Sequence, residues 1–143
     1  MQLLTVILSS AVISSIVTIV LSYVFENRRY IKEKKIAVYT EFLEQLDKVF
    51  PAEEIFGDTP KDKLMQKMKV EASNLEKYIW KIKIISRNKS IYAGADDLFE
   101  ISEKLINSLS DDADDKELEK VIEQSELVQE SLLEEMNKDI SRF

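Results

Sequence analysis

From Leu3 to Phe25 the chain runs for 23 residues without a charge, a proline or a glycine. As a helix rising ~1.5 Å per residue, that run is ~34 Å long, against a bilayer hydrocarbon core of ~30 Å. A helix satisfies its backbone polar groups internally, and the Val, Ile and Leu side chains that dominate here are well solvated by lipid. The run therefore reads as a retained membrane span. A secretory signal would need a basic residue before the run, a shorter apolar stretch and a small-residue cleavage site after it, and the sequence offers none of these.

The flanks orient the span. Only the N-terminal amine lies before it, whereas Arg28, Arg29, Lys32, Lys34 and Lys35 follow closely. Excess basic charge stays on the cytoplasmic side, so the N-terminus is expected outside and the C-terminal part in the cytoplasm, at the inner membrane. The same five bases can hold anionic lipid, each contributing up to ~1 kcal/mol near the surface.

Composition narrows the chemistry. The chain has no cysteine and no histidine, which removes disulfides, thiol nucleophiles, imidazole bases and Cys/His zinc sites. Gly57 and Gly94 are its only glycines, so a Gly-rich phosphate loop cannot be built. The acidic cluster Asp111 to Asp115 fails as a calcium loop, because Lys116 and Glu117 take the positions after Asp114 where a ligand and a glycine are required. Acids ahead of a helix are expected from its dipole. Neither an enzymatic site, a metal site nor a cofactor is expected.

Beyond the span the pattern stays helical. From Tyr30 to Phe50 apolar residues recur every three or four positions, as at Val38, Phe42, Leu46 and Val49. No breaker intervenes before Pro51, so one helix of ~70 Å is expected from the membrane into the following domain. Pro51 to Gly57 reads as a single turn, with Ile55 and Phe56 as lids on the core. Thr59-Pro60-Lys61-Asp62 has the form of a helix start with Thr59 as N-cap. Leu64, Met68, Leu75, Tyr78, Ile82 and Ile85 share one face of the helix that follows. Ile91 to Leu109 form a third amphipathic helix, and Leu118 to Ile140 a fourth, with Asp114 as its cap. The fold class expected is all-α: a single N-terminal transmembrane helix continuing into an antiparallel bundle of about four helices. Residues 1–25 are the anchor, 26–50 the juxtamembrane helix and first bundle helix, and 51–143 the remaining helices.

Three surfaces stand out as interaction sites. Ser10, Ser14, Thr18 and Ser22 recur every four residues in the span, a small-residue stripe that suits self-association into a homo-oligomer. The competing reading has each hydroxyl bonding its own helix carbonyl. Trp80-Lys81-Ile82-Lys83-Ile84 alternates like a strand, but no partner strand exists, so helix is expected. Trp80 and Ile84 then fall off the main apolar face, either beneath a neighbouring helix or as a partner-docking patch. Finally, residues 61–89 carry nine bases against three acids, whereas residues 90–143 carry five against sixteen. The two halves can neutralise each other, or the acidic helices can face a basic partner. The net charge of −7 argues against nucleic acid.

The segment Lys34 to Leu46, KKIAVYTEFLEQL, follows a single span and a basic juxtamembrane stretch. This layout resembles small bacterial and prophage proteins with one N-terminal span and a cytoplasmic helical domain. The resemblance implies a membrane-anchored, non-enzymatic binding module; some phage-encoded proteins of this shape act in superinfection exclusion, blocking entry of a second phage's DNA. A structural coiled coil spanning the envelope is the second class, which the basic flank argues against, and an enzyme, for which the sequence offers no nucleophile–base pair or cofactor motif, is the third. The partners expected are membrane lipid and a protein whose identity the sequence does not disclose.

Overall fold

The computed structural model describes the backbone of residues 2–142 and the side chains of residues 12–142. Among the described residues there are five helices and no strand: α1 Gln2–Val49, α2 Ala52–Ile55, α3 Lys61–Ile85, α4 Lys89–Ser110 and α5 Asp115–Ser141. The chain is all-helical, and α1 is continuous over 48 residues, or ~72 Å. It stops at Val49 because Pro51 keeps Phe50 out of the helical conformation.

The four long helices meet around one core. Phe42 and Leu46 of α1, Leu64, Met68, Leu75 and Ile82 of α3, Leu98 and Leu105 of α4, and Leu132 and Met136 of α5 are all essentially inaccessible. Contacts pair α1 with α3, α3 with α4, α4 with α5, and α5 back with α1. Glu41 pairs with Lys81 and Gln45 with Glu71, so α1 and α3 run in opposite directions. The period-two stretch at Trp80 is helical throughout, since α3 continues to Ile85.

Helix ends follow local chemistry, with two departures from expectation. Asp114 caps α5 by accepting from the Glu117 amide at 2.9 Å, and Asn88 caps α4 through the Ser90 amide. Thr59 does not cap α3. That helix begins at Lys61, one residue later, and Pro60 occupies the cap position in an extended conformation with no side chain able to accept. Phe56 is also no lid: α2 ends at Ile55, which packs on the core, and Phe56 turns outward at 44% exposure. Gly57 follows because a Cβ there would lie 2.8 Å from the Glu53 carbonyl oxygen.

Gly94 sits inside α4, where glycine weakens a helix by roughly 1 kcal/mol relative to alanine. Its use is close approach. A Cβ at this position would meet Leu132 Cδ1 of α5 at 3.0 Å. Gly94→Ala is expected to be close to neutral, as helix propensity offsets a small shift of the leucine tip. Gly94→Leu must push α5 away and should cost about 1–3 kcal/mol. Denaturant midpoints of the two variants distinguish these outcomes; equal destabilisation would refute the packing account.

Every side chain described from Val12 to Tyr30 is exposed, and those up to Phe25 include eight large aliphatic residues distributed around the helix. Among the described residues no helix is long and apolar enough to cross a membrane. Leu3 to Ala11, the first part of the apolar run, lie outside the described side chains.

Candidate functional site

Where α1 enters the packed domain, side chains from α1 and the end of α3 converge on one carboxylate of α5. Asp139, near the end of α5, is 6% exposed. Its Oδ2 accepts from Lys35 Nζ at 2.9 Å, from Tyr39 Oη at 2.6 Å and from Ser86 Oγ at 3.4 Å. Lys35 and Tyr39 lie one turn apart on α1, so both point the same way. Ser86 is the C-cap of α3, and its own hydroxyl accepts from the Asn88 amide. Tyr92 of α4 completes the junction by donating to the Ser86 and Lys83 carbonyls. No buried side-chain nitrogen or oxygen among the described residues lacks a hydrogen-bond partner.

Electrostatics fix the protonation states. Burial pushes the Asp139 carboxyl upward, but the hydrogen bonds from Tyr39 and Lys35 and the lysine charge outweigh it, leaving the group below its ordinary range. Burial, reinforced by the bond to Asp139, holds the Tyr39 phenol well above its ordinary range. The cluster is a carboxylate held by three donors and closed to solvent, which ties α1, the end of α3 and α5 together.

This site was hidden in the sequence because both charges look like surface residues. A signal was nonetheless present. Lys35 lies four residues before Tyr39 and seven before Phe42, on the apolar face of α1. Asp139 lies three after Met136 and seven after Leu132, on the apolar face of α5. Opposite charges on two core-facing stripes are candidates for a buried pair.

The other expected site residues are dispersed. Arg28 and Lys34 are exposed, and Arg29 is exposed and paired with Glu33 at 2.9 Å. Lys32 is half-buried, while Lys34 lies 5.6 Å from the Tyr30 ring centre. Lys35 departs from that group: at 5% exposure and bonded to Asp139, it is withdrawn from any lipid headgroup. In the small-residue stripe, Thr18 Oγ1 donates to the Ser14 carbonyl at 2.9 Å, one turn back in its own helix. Ser14 and Ser22 are exposed, and the Ser10 side chain lies outside the described residues. Trp80 and Ile84 are uncovered, at 60% and 82% exposure, so no neighbouring helix of this chain packs over them. Comparison with known protein families, curated proteins and solved structures returns no match for this chain.

Proposed function

We propose that the protein is a single-pass membrane anchor carrying an antiparallel four-helix bundle, which binds a protein partner at the inner face of the cytoplasmic membrane without catalysing a reaction. The observation carrying this reading is the apolar surface of α1 from Val12 to Phe25, which no other described part of the chain covers. Exposed in water, so large a contiguous apolar surface is unfavourable; lipid removes that cost. Leu3 to Ala11 extend the same apolar character to the length a bilayer requires. The bases at Arg28, Arg29, Lys32 and Lys34 favour a cytoplasmic C-terminus. A bundle ending in an exposed tryptophan and isoleucine on a lysine-rich helix suits protein binding.

The test uses the absence of native cysteine. Single cysteines are placed at Gln2 and Ser141, and intact cells are treated with a membrane-impermeant thiol reagent. Labelling at Gln2 and protection at Ser141 are expected. The reverse pattern would invert the orientation, and labelling of neither site in intact cells with recovery of the protein in the soluble fraction after lysis would remove the anchor.

A further inference from the structure

We propose that the partner of the exposed Trp80–Ile84 face is a second copy of this chain, which receives it in the groove between α4 and α5. The inference rests on the anchored-bundle reading and names its partner. Trp80 and Ile84 are one turn apart on α3 and project together. Lys77 and Lys81 lie on or beside that face, and Lys83 Nζ stands 5.4 Å from the Trp80 ring centre. The knob is thus aromatic and aliphatic with Lys77 beside it, while Lys81 and Lys83 are engaged within the chain by Glu41 and Asp96.

The α4–α5 groove has the complementary character. It encloses about 490 Å³, and the missing side chain at Gly94 forms part of its floor together with Leu132. Ala93 and Leu127 supply apolar walls, and Leu127 is 68% exposed. Asp97 and Glu135 add carboxylates to the lining. These residues belong to the half of the chain with sixteen acids and five bases, and the knob belongs to the half with nine bases and three acids.

Height is the second argument. Lys83 pairs with Asp96 at 3.1 Å, which sets the knob on α3 level with the Gly94 region of α4. Two chains anchored in the same direction therefore present knob and groove at equal distance from the membrane. Lipid is the poorer occupant. The Glu41–Lys81 pair ties the knob to a point on α1 16 residues past Phe25, ~24 Å along a continuous helix. The interfacial region on each side of the hydrocarbon core is only ~5–8 Å deep. Knob and groove are different surfaces of one chain, so the contact is head-to-tail and propagates into rings or rows.

The chain's single tryptophan reports the contact directly. Full-length protein is reconstituted into vesicles of phosphatidylcholine alone, and of phosphatidylcholine with phosphatidylglycerol, at rising protein-to-lipid ratio. Trp80 emission should move to shorter wavelength as protein density rises, equally in both lipids, and Leu127→Lys should abolish the movement while leaving the helical circular dichroism intact. A shift present at high dilution and only with anionic lipid would assign the face to the membrane and overturn the proposal. So would the absence of any shift, which would leave the face to a different protein, or a shift that survives Leu127→Lys, as in a symmetric Trp80–Trp80 contact. Flotation of the vesicles scores the anchor independently. Protein that fails to float yet shows the Leu127-dependent shift with concentration keeps the contact between copies and loses the anchor.

Discussion

Lys35→Met is expected to destabilise the domain by about 3–5 kcal/mol, because it leaves the Asp139 carboxylate buried without its cation. The remaining bonds from Tyr39 and Ser86 share the charge but do not neutralise it. Asp139→Leu added to Lys35→Met should recover part of the loss, since the apolar pair carries no buried charge, while Tyr39 and Ser86 lose their shared acceptor. Chemical denaturation of the full chain in detergent, followed by circular dichroism, measures the cycle. Additive losses in the double variant would show that the two charges are not coupled. The pH dependence follows from the same cluster. Asp139 is held below its ordinary value, so its contribution is complete above the unfolded carboxylate pKa of about 3.9 and fades as pH falls through and below it. Tyr39 is held above its ordinary value, so its contribution is complete below about pH 10 and fades as the unfolded phenol ionises. In Lys35→Met the acid edge should move to higher pH, because burial is no longer opposed by the ammonium.

Phe42→Ala should cost about 3–5 kcal/mol, through lost transfer energy and the cavity left behind. Phe42 is wholly buried on the face that α1 turns to the other helices. Its loss should loosen α1 from the remainder, seen as faster amide exchange at Tyr39 to Val49 than in α4. Ile84→Ala serves as comparator: at 82% exposure it should change stability by no more than about 0.5 kcal/mol. A Phe42→Ala midpoint equal to that of Ile84→Ala would mean that α1 is not part of the cooperative unit.

The helices were legible from spacing because each long one has a core-facing stripe: Leu64, Met68, Leu75 and Ile82 were read correctly, as were Ile91, Leu98 and Leu105. Details within the stripe were less so. In α3 Ile79 is also buried, with Tyr78 and Ile85 only half-buried, because a stripe wider than one residue does not disclose its own centre. Ser102 and Ser125 are buried although polar, each donating at 2.6 Å to a carbonyl three residues back. Such local bonds make serine acceptable inside a core, and composition alone cannot reveal them. The junction at Asp139 was the largest omission, since its partners on α1 lie 100 and 104 residues away and nothing local links them. The alternation from Trp80 to Ile84 has the period of a strand, yet the segment is helical. Its cause is a helix with apolar residues on two faces, one buried and one open to solvent.

The unbroken course of α1 sets direction as well as reach. Each residue of a helix advances the chain by ~1.5 Å and turns it by ~100°. With no hinge between Phe25 and Tyr39, the segment joining them acts as a compass: the bearing of the domain about the axis of the apolar segment that ends at Phe25 is written into the residue count. One inserted residue would scarcely raise the domain, yet would swing every outward face by more than a quarter turn. Selection on the length of this segment is thus selection on which way the domain looks.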